Sequence, residues 1–214
     1  MRPAGDDGAG AGRWRVDADQ AAAEAPVLER RVLGRGWVDA PMVNNEPRLD
    51  PHGDDDASAE LRVERDRRRL TGLHEGRAWR RRRDARVLRV VRHEVFAAAD
   101  DGRHRALWQR RGPASLEATW RARWRERDVE PGWVEARAVE GADRGPVDAD
   151  DLDWFRVEDH TDLRGGIDVT VYEHLSVWAG RHLVTLTLRH PHELDVDEAA
   201  HAAAAAVGRS LARG

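Results

Sequence analysis

The most concentrated chemistry in the sequence is a run of four arginines, Arg80, Arg81, Arg82 and Arg83, directly after Trp79. Clustered guanidinium groups bind phosphates, and a neighbouring aromatic ring can stack on a base. Residues 62–92 carry 13 arginines against four acidic residues, a net charge of +9. These five residues are therefore candidate contacts for nucleic acid or another polyanion.

Two features of the composition weaken that interpretation. All 36 basic residues are arginine, a bias typical of a GC-rich bacterial genome, so arginine abundance alone does not indicate binding. Residues 128–214 carry a net charge of −10, and folding could place these acids beside the arginines. We interpret residues 78–84 as an exposed basic turn, and a nucleic-acid partner is possible but not favoured.

The segment "DVTVYEHLSVWAGRHLVTLTLRH" (168–190) predicts a β-hairpin with its turn at Ala179-Gly180. In that register position 175 pairs with 184 and position 171 with 188. Valine and leucine side chains of both strands then share one face, which is expected to face the core. The opposite face carries threonine, histidine, serine and aromatic side chains.

Glu173 is the exception on the apolar face, where the predicted register places it opposite Leu186. A carboxylate there should be paired or protonated, and such residues occur often at functional sites. An arginine partner would explain it equally well. Tyr172, His174 and Trp178 on the other face complete the candidate ligand or partner contacts. Trp178, at the tip of the hairpin, is a contact residue or a lid.

His190 and His192 are the candidates for a metal site. A His-x-His pair on an extended segment can chelate, and the acidic residues that follow could complete the coordination. However, Pro191 marks the end of a strand, where polar residues collect. We therefore predict a polar turn, with neither a metal nor a cofactor.

Several classes of catalysis are excluded by composition. The chain has no lysine and no cysteine, which removes Walker A, Schiff-base and thiolate chemistry. None of its four serines lies in a G-x-S-x-G motif. No apolar stretch approaches ~20 residues and no signal peptide is recognisable. We expect a cytoplasmic, non-enzymatic protein that acts on an unknown protein or small ligand, with no membrane partner.

These residues must be positioned by a small number of elements. Residues 1–25 are predicted to be a disordered tail, and residues 26–214 a single domain, loop-rich over 26–85 and best defined over 86–214. Strands are predicted at 86–96, 104–110, 133–139 and 152–159, the first two joined by a turn at Asp101-Gly102. Helices are predicted at 115–128, where Leu116, Trp120 and Trp124 recur every four residues, and at 195–212.

The ending "HLVTLTLRHPHELDVDEAAHAAAAAVGRSL" resembles that of Mog1/PsbP-like domains, with a core strand, a short polar turn and a final helix. The preceding "DVTVYEHLSVW" and "SLEATWRARW" fit the same order, so the resemblance covers residues 86–214. It implies an α+β fold in which helices cover a mostly antiparallel sheet, and a non-catalytic binding or accessory role. An alternative is a helix-grip (START-like) carrier or enzyme, with an apolar cavity between the sheet and the C-terminal helix.

Overall fold

The computed structural model describes residues 16–42, 56–127, 131–139, 149–163, 166–191 and 198–213. At residues 56–58, 122–127, 131–132 and 162–163 the structure describes the backbone alone. The elements, in chain order, are α1 (Asp17–Glu24), a short 3-10 helix (Arg30–Leu33), β1 (Trp37–Ala40), α2 (Asp56–Arg68), β2 (Leu70–Glu75), β3 (Ala78–Arg81), β4 (Val87–Phe96), α3 (Arg103–Arg127), β5 (Pro131–Ala138), β6 (Asp151–Leu163), β7 (Gly166–Ala179), β8 (His182–Pro191) and α4 (Glu198–Leu211).

The eight strands form one sheet in which the pairs are antiparallel, in the order β1-β3-β4-β8-β7-β6-β5. Strand β4 is long enough to pair twice along one edge. Its first residues pair with β3 and its last residues with β2. The predicted α+β class, with helices covering a mostly antiparallel sheet, is confirmed.

Helices cover the sheet on both sides, and the two sides differ in chemistry. The α4 face is apolar: valine and leucine side chains of β4, β7 and β8 pack with the 3-10 helix and the buried alanines of α4. The α3 face lies under α2 and α3, and its apolar part is a cluster around Leu116, Trp120 and Phe155. Alanine suits α4 because a small side chain lets the helix axis approach the sheet closely.

The predicted strand at 104–110 is wrong, because α3 begins at Arg103 and continues to Arg127. Gly102 has a φ of 85°, and the Asp101 carboxylate accepts a hydrogen bond from the backbone N–H of Arg103 at 3.1 Å. The Asp-Gly pair therefore starts a helix instead of turning a hairpin. Helix 115–128 is the second half of this longer helix, and the predicted 195–212 helix is observed over Glu198–Leu211.

The β7–β8 hairpin has the predicted faces but a register shifted by two residues. Its turn is at Gly180 and Arg181, so that Ala179 pairs with His182. A shift of two keeps each side chain on its face, since side chains alternate with a period of two. Glu173 consequently lies opposite Leu188, not Leu186.

The N-terminal third is more regular than predicted. Residues 17–24 form α1 and not a disordered tail, while residues 1–15 lie outside the described part of the chain. Residues 26–85 are not mainly loop, since they contain the 3-10 helix, β1, α2, β2 and β3; residues 43–55 are not described. No helix within the described ranges is long and apolar enough to span a membrane.

Candidate functional site

A cavity of about 50 Å³ lies on the α3 face, between the sheet and helices α2 and α3. Strands β4, β7 and β8 form its floor, and the two helices form its walls. Its lining combines charged, hydroxyl and apolar side chains: Leu61, Arg65, Val91, Arg92, Glu94, His104, Trp108, Ser176, Trp178, Leu183 and Thr185. We call this cavity the α3 cleft.

The cleft forms where polar strand residues lie beneath helices. The ladder between β4 and β8 shifts register between Val90 and Arg92, which marks a β-bulge at the cleft floor. The α2 wall is held to the sheet by an ion pair between Arg65 and Glu94. It is held to α3 by Arg111, whose Nη2 lies 3.4 Å from Glu60 Oε1.

Arg68 and His104 form a buried pair at the cleft, whose lining includes His104 but not Arg68. Arg68 Nη1 lies 3.3 Å from His104 Nδ1. Because a guanidinium only donates, Nδ1 must accept and the ring proton is on Nε2. Burial, with a further contribution from the charge of Arg68, lowers the pKa of His104 to about 4. His104 is therefore a neutral hydrogen-bond donor at neutral pH.

Trp178 is a wall of the cleft and not an exposed lid. Its side chain is 3% exposed, and its Nε1–H donates to Asp153 Oδ2 at 2.6 Å. The His104 ring meets the Trp178 ring edge-on, with centroids 5.1 Å apart. The hairpin tip is therefore covered by α3. The helix predicted from the sequence began at residue 115, too far along the chain to reach this tip.

The other candidate contacts do not share one site. His174 and Tyr172 lie on the α3 face with Trp178, whereas Glu173 lies on the α4 face. Tyr172 packs against Trp120, with ring centroids 4.3 Å apart. His174 is completely enclosed, and burial lowers its pKa to about 3.

Glu173 is 1% exposed and has three hydrogen-bond partners, so it is a paired acid. Its carboxylate accepts from Trp154 Nε1 at 2.6 Å and from Arg156 Nη1 at 3.5 Å. His190 Nε2 lies 3.3 Å from Oε1, the same oxygen that accepts from Arg156, and His190 Nδ1 lies 2.7 Å from the Pro191 carbonyl oxygen. An arginine does reach this acid, as one of the two sequence interpretations expected.

The metal candidates are only partly described. His190 is engaged with Glu173, and His192 lies outside the described residues. Within the ranges described, no group of three or more histidine, aspartate or glutamate side chains is placed to hold a metal ion.

The arginine run is divided between strand β3 and the following turn, and Trp79 belongs to the core. Trp79 is 3% exposed on the α4 face, so its ring is not accessible to a base. Arg81 is paired with Asp84 at 3.5 Å. The exposed members are Arg80, Arg82 and Arg83.

Sequence reasoning missed most of the α3 cleft. Arg65, Arg68, Arg92, Glu94 and His104 were not singled out, although all but His104 lie in or beside the positive segment. One available signal was the continuation of the four-residue spacing backwards from Trp120 through Leu116 and Gly112 to Trp108. It would have extended α3 to the hairpin tip and placed a helix over Ser176 and Trp178.

Comparison with known proteins found no match to a protein family, a curated protein or a solved structure. The resemblance to Mog1/PsbP-like domains therefore stays a prediction.

Proposed function

We propose that this chain is a non-catalytic accessory domain that binds a small ligand in the α3 cleft, and that it acts in the cytoplasm. The observation that carries the proposal is the cleft itself. Apolar walls beside a few convergent polar groups are the usual composition of a small-molecule site. Its position under α2 and α3 also differs from the helix-grip alternative, which requires a cavity between the sheet and α4.

The geometry around Ser176 favours binding over catalysis. A nucleophilic serine needs a base within hydrogen-bond reach. His104 cannot serve, because its Nδ1 accepts from Arg68 and its Nε2 carries a proton. His174, two residues from Ser176 on the same strand face, is a weak base, because burial lowers its pKa to about 3.

The proposal is tested by screening a fragment library of mixed charge for thermal stabilisation, then mapping each hit by NMR on the indole N–H signals of Trp108 and Trp178. We expect hits that shift these two signals and that disappear in Ser176→Leu, which fills the cleft. Ser210→Leu, on α4, is the matched control and should keep them. If no fragment shifts the two signals, or if Ser176→Leu binds as well as the parent chain, the cleft is not a ligand site.

A second candidate function, polyanion binding, is favoured by the exposure of Arg80, Arg82 and Arg83 around one turn. Within the described ranges, no carboxylate lies within ion-pair distance of these three. Binding of single-stranded RNA or duplex DNA that weakens steeply with salt, and that is lost on triple substitution by alanine, would support it. Arg209→Ala on α4 is the control. Equal binding by the triple variant would reject this candidate.

A further inference from the structure

We infer that the ligand of the α3 cleft is a short uncharged molecule whose polar end both accepts and donates hydrogen bonds, as a primary carboxamide does, and whose apolar end lies against Leu61, Trp108 and Leu183. This inference rests on the proposed function and names the chemical class of the ligand.

Two hydroxyl groups on the floor of the cleft are the observation that points to a polar ligand. Ser176 and Thr185 are 5% and 8% exposed, and both line the cleft. Among the described residues neither hydroxyl has a hydrogen-bond partner. The two residues lie directly opposite each other on β7 and β8, so one ligand group can reach both. Since a buried hydroxyl without a partner is destabilising, a ligand that bonds to them would be favoured.

The cleft also offers hydrogen-bond donors from α3. His104 Nδ1 accepts from Arg68, so the proton of this neutral ring is on Nε2. Trp108 lines the cleft, and within the described ranges its buried indole N–H has no hydrogen-bond partner. These donors require an acceptor such as a carbonyl oxygen, whereas the hydroxyl oxygens of Ser176 and Thr185 can accept from an N–H. A primary carboxamide supplies both functions.

The charges of the lining are balanced within the chain, which disfavours a charged ligand. Arg65 forms an ion pair with Glu94. Arg92, the second guanidinium of the lining, is not free, and Glu75 lies directly opposite it in the ladder between β2 and β4. Opposite charges at such cross-strand positions attract each other. An ion entering the cleft would lose its hydration and would find no excess charge of the opposite sign.

The buried cation next to the lining does not change this balance. Arg68 is attracted by both Asp100 and Glu94, and its guanidinium carbon lies 4.0 Å from the centroid of the Phe96 ring. His104, to which Arg68 donates, is neutral, because burial lowers its pKa to about 4. The polar groups of the cleft therefore select a ligand by hydrogen bonds and not by charge.

The size of the cleft limits the ligand to a few non-hydrogen atoms. A buried water requires about 10–15 Å³, so a cleft of about 50 Å³ holds about four water-sized groups. That is enough for a carboxamide with a short alkyl chain. A larger molecule would extend beyond the cleft.

The test is a titration with propionamide, propionate, propionamidinium and butanone, which share one heavy-atom skeleton. Propionate is an anion, propionamidinium is a cation, and butanone is uncharged but cannot donate a hydrogen bond. Binding is followed by NMR on the indole N–H signals of Trp108 and Trp178. We expect propionamide to bind roughly tenfold more tightly than either ion, because its desolvation costs less. It should bind about fivefold more tightly than butanone, because only the amide N–H can donate to the hydroxyl oxygens.

Variants that remove a hydroxyl but preserve its space test the assigned contacts. Thr185→Val and Ser176→Ala should each reduce the preference for propionamide over butanone, and in the double variant the ratio of affinities should fall to about one. Thr187→Val is the matched control, because its hydroxyl lies on the same face of β8 but does not line the cleft. Thermal unfolding verifies that each variant is folded. An unchanged ratio in the double variant would overturn the assignment.

The other outcomes separate this inference from the proposed function. If either ion binds in the cleft as tightly as propionamide, the uncharged assignment is overturned and the cleft remains a ligand site. If butanone binds as tightly as propionamide to the parent chain, the donating part of the assignment is overturned. If neither propionamide nor any library fragment shifts the two tryptophan signals, the proposed function fails together with the inference.

Discussion

The two faces of the sheet are both covered by helices, but different kinds of side chain fill the space between sheet and helix on each face. On the α4 face, valine and leucine side chains meet an alanine-rich helix, and the main buried charges are paired around Glu173. On the α3 face, the same strands present Thr185, Ser176 and His174 to helices that carry arginines. Aliphatic side chains interdigitate closely, whereas a polar floor must satisfy hydrogen bonds as well as fill space. That difference accounts for a cavity of about 50 Å³ on the α3 face, whereas the cavity against the apolar cluster of the α4 face is about 20 Å³.

The largest difference that can be measured is the response to acid. His174, His104 and His93 are neutral in the fold, with pKa values lowered by burial to about 3, 4 and 4. Their unfolded value is 6.5, so below that pH the unfolded chain binds more protons than the folded chain. Stability is therefore full above about pH 6.5 and is lost as pH falls towards 4, by up to about 4 kcal/mol per pH unit for the three together.

This prediction is checked by urea unfolding at a series of pH values from 7 to 4.5. His174→Leu should reduce the slope by about 1.4 kcal/mol per pH unit, because one titrating group is gone. Thr187→Val removes the hydroxyl 3.4 Å from His174 Nδ1 but keeps the imidazole, so it should leave the slope unchanged. An unaltered slope in His174→Leu would show that acid acts elsewhere in the fold.

The second comparison removes one acid from each face. Glu173→Ala removes the buried acceptor of the Trp154 indole N–H and one of the two carboxylates beside Arg156, whose Nε also donates to Glu158 Oε1 at 3.1 Å, at a cost of about 3 kcal/mol. Glu94→Ala also removes an arginine partner, but Arg65 borders the cleft, where water can solvate its guanidinium. We expect about 1 kcal/mol there.

The free energies of unfolding of both variants are to be measured by urea unfolding at pH 7. Glu173→Gln, which keeps the shape and can still accept from Trp154, should recover part of the loss. Equal destabilisation by the two alanine variants would mean that the α3 cleft is no wetter than the core, and would remove the contrast between the faces.

The faces themselves could be predicted from sequence because strand alternation is a local property. The hairpin prediction placed Val171, Leu175 and Val177 on the core face despite a register error of two residues, since that error preserves the alternation. The position of the turn was harder to predict. Gly180 belongs to both the predicted turn (179–180) and the observed turn (180–181), and a glycine with a φ of 51° is compatible with either.

The cleft could not be predicted in the same way. Arg68 is one of five arginines between residues 62 and 69, and nothing in the local sequence separates it from its four less buried neighbours. Its burial follows from the packing of α2 on Phe96 and α3, which is a long-range property. The prediction that Trp79 is a contact residue beside the arginine run failed for the same reason. Trp79 lies in the core, and its strand pairs it with Leu88 on β4, which is also a long-range contact.

A smaller effect is expected where α3 crosses the sheet beside the cleft. A Cβ atom at Gly112 would lie 2.7 Å from Phe155 Cε2, which is too close for van der Waals contact. Gly112→Ala should therefore cost about 1–2 kcal/mol, although alanine is the better helix former by about 1 kcal/mol. Thermal unfolding measures the effect. Adding Phe155→Leu should reverse the sign of the Gly112→Ala effect in a double-mutant cycle, and additive losses would contradict the contact.

The smallest effect concerns arginines outside both faces. Replacing Arg80, Arg82 and Arg83 by alanine should change the free energy of unfolding by no more than about 0.5 kcal/mol per site, because their side chains are exposed and not ion-paired within the described ranges. Arg156→Ala is the matched comparison. This substitution removes a buried guanidinium that donates to Glu173, and it should lower the free energy of unfolding several times more than each exposed arginine does. Chemical unfolding at 50 mM and 500 mM salt distinguishes the two positions, since only surface charge is screened appreciably. A loss above 1 kcal/mol for each exposed arginine would mean that the basic turn stabilises the fold, and it would then be a structural element and not a free surface for a polyanion.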